Sequence, residues 1–177
     1  MNQSSRWADL LLIVVIAAVV VVGLRSMRQG VEGGPQPIAA GTTLPALAVA
    51  GWLDHYGPPP LPDGEELLVV DCGASWCGPC RAEMPRLKQI RDQYKPLGVT
   101  LIGLTPETER DLPQIEKFIE TVDGFDWPVG YGANSVLDAL RVQAFPTVIV
   151  FNSDEEVVWS GIGSHGLADA LDRLLAR

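Results

Sequence analysis

The sequence predicts a mixed α/β fold, in which helices cover both faces of a central sheet. Short apolar runs alternate with amphipathic helical patterns along residues 44–177, as in chains that build a largely parallel sheet. The last two strand patterns adjoin one another as a hairpin and precede a final helix. This stretch also has the length of one globular domain with a hydrophobic core of its own.

The strand predictions rest on apolar runs that are bounded by turn residues. Residues 67–72 form a continuous apolar run, which is typical of a strand covered on both faces. Three consecutive prolines, Pro58 to Pro60, break any regular element between His55 and Gly64. The predicted strands are Ala46–Leu53, Leu67–Cys72, Val99–Leu104, Trp127–Val129, Thr147–Phe151 and Glu156–Ser160.

Four helices are predicted from apolar residues that recur at helical spacing. The first covers residues 77–94 and is expected to bend at Pro85, which cannot donate a backbone hydrogen bond. The second covers Leu112–Val122, and a short third helix is predicted to be capped by Ser135. The fourth, Leu167–Leu175, closes the chain.

The N-terminal segment predicts attachment to a membrane. Leu10–Leu24 is an uncharged apolar run of fifteen residues, and its helical length of about 22 Å falls short of the roughly 30 Å hydrocarbon core. Extending the span to Trp7–Met27 removes the deficit. A cleaved signal peptide and a buried core helix are the alternatives, but no small-x-small cleavage site follows closely. The interpretation is a signal anchor at residues 1–28, a flexible Gly- and Pro-rich linker at 29–43, and a domain at 44–177.

Charge limits the partners of the chain. The formal net charge is -9 at pH 7, which disfavours binding to nucleic acid or to anionic lipid surfaces. Nucleic acid is therefore not expected among its partners.

The stretch Trp76-Cys77-Gly78-Pro79-Cys80 places two thiols one helical turn apart, directly after a predicted strand. Such positions lie roughly 5 to 6 Å apart, within the separation that a disulfide tolerates, which suggests a reversible bond. If a helix begins at Cys77, the unpaired N–H groups of its first turn stabilise a thiolate there, so that Cys77 is the predicted nucleophile and Cys80 the resolving thiol. Pro79 suits a first helical turn, and Gly78 lets another chain approach closely.

Other uses of the cysteines fit the sequence less well. A zinc site needs four ligands, but the chain has three cysteines and two distant histidines, His55 and His165. The chain lacks the fourth cysteine that an iron–sulfur cluster needs. A permanent structural disulfide that closes a loop of four residues would remove little chain entropy. No metal or cofactor is therefore expected. Cys72 is interpreted as a buried, inert residue, with a second redox role as the alternative.

The segment Val70-Asp71-Cys72-Gly73-Ala74-Ser75-Trp76-Cys77-Gly78-Pro79-Cys80 resembles the active-site segment of thioredoxins. Its continuation, Arg81-Ala82-Glu83-Met84-Pro85, resembles the C-x-x-C-x-x-E-x-P pattern of the membrane-anchored TlpA/ResA branch. Phe145-Pro146-Thr147 lies before a strand, where the thioredoxin fold keeps a cis-proline. The N-terminal anchor and an extra strand–helix segment, roughly Thr105 to Gly130, also fit that branch. The resemblance covers about residues 44–177 and implies a thioredoxin-like fold.

The resemblance also implies roles for individual residues. Pro146 would be cis and stack against the cysteine pair, and the backbone of Phe145 would pair with an extended substrate segment. Asp71 stands where thioredoxins carry a buried acid and would accept the proton of Cys80, unless it only caps the strand end towards solvent. Glu83 matches the branch-specific acid, and its alternative is an exposed helix residue. Trp76 would shield the disulfide and offer an apolar contact surface, or serve only in packing.

The function that the resemblance implies is a thiol-disulfide oxidoreductase that reduces protein disulfides. It would be a single-pass protein of the bacterial inner membrane, with its catalytic domain on the periplasmic side and a membrane electron donor to regenerate the dithiol. Reduction of apocytochrome c thiols is an alternative, although Gln143-Ala144-Phe145-Pro146-Thr147 departs from the segment that is usual in that group. A copper-binding assembly factor is a second alternative, but such proteins keep three residues between the cysteines. An oxidant or isomerase is a third.

Overall fold

The computed structural model describes residues 35–53 and 66–176, together with Ile16, Val19 and Val20. Pro37–Arg177 forms one compact unit, and Met1–Gln36 forms another. The signal anchor predicted at residues 1–28 lies outside the described residues, apart from those three, and so does the loop predicted at 55–64. Among the residues described, no helix has both the length and the apolar character that a membrane crossing requires.

Six strands form one mixed sheet in the order β1-β4-β3-β2-β5-β6. β2 lies at the centre, parallel to β3 and antiparallel to β5. β4 is parallel to β3, while β1 and β6 are antiparallel to their neighbours. The strands are β1 Gly51–Trp52, β2 Leu67–Cys72, β3 Val99–Leu104, β4 Val129–Tyr131, β5 Thr147–Phe151 and β6 Val157–Ile162.

Within residues 66–176 the α-helices are α1 Gly78–Tyr94, α2 Leu112–Ile119, α3 Asn134–Ala139 and α4 Leu167–Leu175. Short 3-10 turns follow α1 at Lys95–Leu97 and precede α2 at Glu109–Asp111. The first, third and fourth helices therefore lie where the sequence pattern predicts them, and the second ends three residues early, at Ile119. Pro85 lies inside α1, but the bend at this position stays a prediction.

The core consists of two hydrophobic clusters, and alternate residues of β2 supply each of them. Leu67 and Val69 pack in one cluster with residues of α1 and α4, whereas Leu68 and Val70 pack in the other with residues of α3. Since side chains on a strand alternate between its faces, the two clusters lie on opposite faces of the sheet. The predicted α/β class, with helices on both faces, is confirmed.

Several local predictions are wrong. β4 covers Val129–Tyr131 and not Trp127–Val129, because Val129 and Gly130 are the residues that pair with β3. The first strand is far shorter than Ala46–Leu53, because residues 46–49 make i to i+2 backbone bonds instead of a ladder: Ala48 N donates to Ala46 O at 2.7 Å and Val49 N to Leu47 O at 3.1 Å. Ser135 is not a helix cap. It lies within the first turn of α3, and its hydroxyl donates to the carbonyl oxygen of Ala48 at 3.3 Å.

Candidate active site

The cysteine pair lies at the N-terminus of α1, just beyond the end of β2. Cys77 is the N-cap residue, and its amide donates to Ala74 O at 3.0 Å in the turn that joins the two elements. Cys77 and Cys80 form a disulfide with an S–S distance of 2.02 Å and a Cα–Cα distance of 5.3 Å. The amide of Cys80 also donates to Cys77 Sγ at 3.2 Å. The predicted disulfide and its place at a helix N-terminus are thus both present.

The two cysteines border different spaces. Cys77 lines an open groove of about 540 Å³, bounded by Trp76, Gly78 and Pro79 on one side and by residues 142–145 on the other. None of the described residues that line this groove is charged. Cys80 instead lines a small pocket of about 30 Å³, together with Asp71. The two cysteines, both buried, therefore border different spaces, and only Cys80 shares its space with Asp71.

The peptide bond between Phe145 and Pro146 is cis, as the resemblance implied. Pro146 is buried directly before β5, and Phe145 lines the groove. The aromatic ring of Phe145 contacts that of Trp76, with 5.9 Å between the ring centroids. Trp76 is 69% exposed, so most of its ring is free to touch a bound chain. Stacking of Pro146 on the cysteine pair stays a prediction.

Asp71 is a buried acid and not a solvent-facing strand cap. The side chain is only 8% exposed, and its Oδ1 has no hydrogen-bond partner. Burial, together with a smaller effect of the Glu83 charge, raises the pKa of Asp71 from 3.8 to about 7. A carboxyl group with this pKa can take up and release a proton near neutral pH.

Glu83 is half-buried on α1 and is not an exposed helix residue. Its Oε2 accepts a hydrogen bond from the amide of Ser164 at 2.5 Å, in the loop that follows β6. Gly163 fits beside it, because a Cβ atom there would lie 2.5 Å from Glu83 Oε1. Asp71 shares a pocket with Cys80, and Glu83 lies three residues after Cys80 on α1, but the catalytic roles of both acids stay predictions. The sequence did not indicate that Glu83 also holds this loop.

Sequence reasoning missed a third acid, Glu107, which is 8% exposed. It lines the same pocket as Asp71 and Cys80, and it accepts hydrogen bonds from Ser75, two residues before Cys77. A signal was available, because Glu107 closely follows β3. The carboxyl ends of parallel strands lie at the same edge of a sheet, and β2 ends beside β3 at that edge.

Neither histidine was predicted to take part in the chemistry. His165 lies in the loop after β6, where its Nδ1 is 3.4 Å from Arg86 Nη1, and His55 lies outside the described residues. In the part of the chain that the structure describes, no three His, Cys, Asp or Glu side chains are grouped as a metal site would require.

The fold and the site together define a thioredoxin-like protein. A family model described as "Thioredoxin-like" matches residues 64–157, more than half of the chain, and the chain belongs to this family. The match includes the cysteine pair, both predicted acids and the cis-proline.

The curated proteins that resemble this chain include thiol-disulfide oxidoreductases. The chain is 31% identical over 93 residues to the thiol-disulfide oxidoreductase ResA of Halalkalibacterium halodurans, a match that covers 51% of this chain and 51% of the relative. It is 28% identical over 91 residues to ResA of Oceanobacillus iheyensis, covering 51% of this chain and 46% of the relative. The chain thus spans about half the length of these curated relatives.

Solved structures show the same fold. The thioredoxin domain of a thiol-disulfide oxidoreductase from Bacteroides vulgatus superposes with a TM-score of 0.65 at 20% identity. This superposition covers 77% of the present chain and 98% of the Bacteroides domain. The thioredoxin-like fold class predicted from the sequence is therefore confirmed.

Proposed function

We propose that this chain is a thiol-disulfide oxidoreductase that reduces disulfides in other proteins through Cys77 and Cys80. The observation that carries the proposal is the division of the cysteine pair between two spaces. Cys77 lines the groove beside Trp76, and Cys80 lines a separate small pocket that also contains Asp71.

In the first step, the Cys77 thiolate attacks one sulfur of a substrate disulfide. A mixed disulfide forms, the substrate S–S bond breaks, and the departing substrate thiolate takes a proton from solvent. The helix N-terminus favours this nucleophile, since the Cys80 N–H group lies 3.2 Å from Cys77 Sγ and the helix dipole stabilises negative charge there.

In the second step, Cys80 attacks the Cys77 sulfur and releases the second substrate thiolate. Cys80 must first lose its proton, and Asp71 is the proposed acceptor because its pKa of about 7 lets it take a proton near neutral pH. Two electrons have then passed to the substrate, and the Cys77–Cys80 disulfide has formed. This oxidised form is the one observed.

Substrate recognition is proposed to take place in the groove. An extended chain would lie between Trp76 and residues 142–145, with its cysteine at Cys77, and would pair with the backbone of Phe145 by strand addition. Gly78 leaves room for this approach, because no atom lies within 4 Å of where its Cβ would be. Pro79 forms the wall beside it.

The location proposed for the chain is the periplasmic side of a bacterial inner membrane. Residues 1–28 would be the signal anchor, residues 29–43 the linker and residues 44–177 the catalytic domain. The support for this arrangement is the apolar run Leu10–Leu24 and the resemblance to the TlpA/ResA branch. A membrane protein that donates electrons would return the disulfide to the dithiol.

Trapping of mixed disulfides tests the proposed function. The Cys80→Ala variant is expected to accumulate covalent adducts with substrate proteins, because the resolving thiol is missing, while Cys77→Ala forms none. Reduction of insulin by the wild-type chain and dithiothreitol should be lost in both variants. Tight one-to-one copper binding by the reduced wild type, without any insulin reduction, would instead support the copper-binding alternative and refute the enzyme proposal.

A further inference from the structure

We propose that Glu107 is a positioning residue that fixes Ser75 and, through it, presents Trp76 to protein substrates. This inference rests on the disulfide exchange proposed above, and it identifies the group that shapes the substrate surface of the same site. Neither Glu107 nor Ser75 takes part in the electron transfer itself.

Every polar group of Ser75 is engaged. Its amide donates to Glu107 Oε2 at 2.7 Å, and its hydroxyl donates to Glu107 Oε1. Its carbonyl oxygen accepts from Arg81 Nη2 at 3.2 Å. The guanidinium group of Arg81 also lies 5.3 Å from the ring centroid of Phe118, which holds the donor in place. Ser75, the residue directly before Trp76, is thus held by hydrogen bonds to both Glu107 and Arg81.

Glu107 is itself fixed to the sheet edge. Its Oε2 accepts a further hydrogen bond from Thr105 Oγ1 at 2.8 Å. Its backbone oxygen accepts from Gly132 N at 2.6 Å, and Ala133 N donates to Thr105 O at 3.0 Å. Burying a carboxylate is costly unless donors compensate for the lost water, and here two hydroxyls and one amide do so. The arrangement therefore fits a carboxylate that serves as a fixed acceptor.

The position of Trp76 depends on the hydrogen bonds of Ser75 more than the position of Cys77 does. Cys77 is held by the bond from its amide to Ala74 O and the bond from Cys80 N to its sulfur, and in the oxidised form by the disulfide as well. Trp76 is 69% exposed, and its ring contacts Phe145 on one side. In this proposal the backbone of Ser75 sets where the Trp76 side chain starts, and Phe145 contacts its ring.

Two variants of the full chain, Glu107→Ala and Glu107→Gln, separate the effect of Glu107 on substrate binding from any effect on the reactivity of Cys77. Glu107→Ala is expected to lower kcat/KM for insulin reduction about tenfold, mainly through a higher KM, because Trp76 is no longer held for binding. The rate at which iodoacetamide alkylates the reduced Cys77 should change less than about twofold, since the helix N-terminus that stabilises its thiolate is intact. Glu107→Gln is expected to restore kcat/KM to within about threefold, because its side-chain oxygen can still accept from the Ser75 amide.

Two nuclear magnetic resonance measurements report on position without any activity. Hydrogen exchange of the Ser75 amide should accelerate in Glu107→Ala and remain slow in Glu107→Gln. The indole N–H resonance of Trp76 should change in the alanine variant alone. Glu116→Ala, which removes an exposed carboxylate from α2 without touching Ser75, is the matched control and should behave as the wild type.

A purely structural role for Glu107 would give a different pattern. Val136→Ala, in the cluster on the other face of the sheet, lowers stability without touching the site. Equal losses of kcat/KM in Val136→Ala and Glu107→Ala would overturn the proposal, and so would an unchanged KM in Glu107→Ala. If the wild-type chain reduces no insulin, the proposed function fails instead, and the Ser75 exchange and Trp76 resonance still decide whether Glu107 positions the turn.

Discussion

At the scale of single residues, Asp71 is a carboxyl group whose surroundings destabilise its ionised form. Its carboxyl group lies on a central strand that is buried on both faces, and its Oδ1 has no partner to replace the water it has lost. The second acid, Glu83, adds repulsion to this burial. The pKa of Asp71 therefore rises to about 7, and the same group that is suited to proton transfer must oppose folding whenever it is ionised.

Asp71→Asn is expected to stabilise the chain at neutral and alkaline pH. Below about pH 4 the carboxyl group is protonated in both the folded and the unfolded chain. Between pH 4 and 7 the folded chain keeps a proton that the unfolded chain has released, so the wild-type free energy of unfolding falls as the pH rises. Above pH 7 the free energy of unfolding of Asp71→Asn should exceed that of the wild type by on the order of 4 kcal/mol, since the pKa of Asp71 is raised by about 3.

Urea unfolding of the wild type and Asp71→Asn between pH 4 and 8 measures this difference. The gap between the two free energies of unfolding should widen up to about pH 7 and then stay constant, because the acid is then ionised in both states. Parallel pH profiles for the two proteins would contradict the raised pKa.

Cys72 is expected to be chemically silent in the folded protein. Burial raises its thiol pKa well above the ordinary value, and the neighbouring Asp71 charge raises it further. Its fully buried side chain packs in the cluster with Leu68 and Val70. The oxidised native protein should therefore show no thiol that reacts with Ellman's reagent at pH 8, and one such thiol after denaturation. A native adduct on Cys72 would instead indicate the second redox role.

At the scale of secondary-structure elements, Glu83 joins the active-site helix to the far edge of the sheet. Its side chain extends from α1 to the amide of Ser164, just beyond the end of β6. Ser164 is fully buried, so this amide has no access to water if the carboxylate is removed. The hydrogen bond therefore fixes the position of the loop relative to the cysteine-bearing helix.

Glu83→Ala is expected to lower the free energy of unfolding by about 1 to 3 kcal/mol, because it leaves the buried Ser164 amide unsatisfied. Glu83→Gln keeps an acceptor oxygen and should lose clearly less. Urea unfolding at pH 5 is the suitable measurement, since Asp71, with its pKa of about 7, is then protonated and its repulsion with Glu83 contributes little. Equal stability of all three proteins would show that the loop does not depend on this bond.

The elements also show where sequence reasoning succeeds. β2, β3 and β5 were predictable because almost every residue in them is buried, which leaves a continuous apolar run in the sequence. β1 and β4 pair over two residues only, Gly51 with Tyr131 and Trp52 with Gly130. A two-residue ladder carries no periodicity of its own, since distant parts of the chain create it.

In the site too, the sequence predicts contacts between nearby residues but not those between distant ones. Cys77, Cys80 and Glu83 lie on one helix, so their spacing in the sequence already placed them together. The bond between Ser75 and Glu107 joins residues 32 positions apart and depends on the parallel pairing of β2 with β3. A local motif cannot encode such a contact, which only the arrangement of the strands reveals.

At the scale of the whole molecule, the sheet is completed by a segment that the sequence placed in the linker. Gly41 N donates to Val157 O at 2.9 Å, and Val157 N donates to Thr42 O at 2.9 Å. Ser160 Oγ donates to Ile38 O at 2.9 Å, and the Ile38 side chain packs against the second core cluster. Residues 38–43 thus lie along the start of β6 and protect an edge that would otherwise be open.

Two shortened chains test how much this segment stabilises the fold. A chain of residues 37–177 keeps the contacts of β6 with residues 38–43, and we expect it to unfold in one cooperative transition with the midpoint of the full chain. A chain of residues 44–177 loses three hydrogen bonds and the packing of Ile38, so its free energy of unfolding should be lower by about 2 to 4 kcal/mol.

Both shortened chains should still reduce insulin where they are folded, because the cysteine pair, Asp71 and Glu107 all lie beyond residue 44. Equal midpoints for the two chains would mean that the edge contacts contribute nothing, and loss of activity in folded 37–177 would place part of the catalytic apparatus before Pro37.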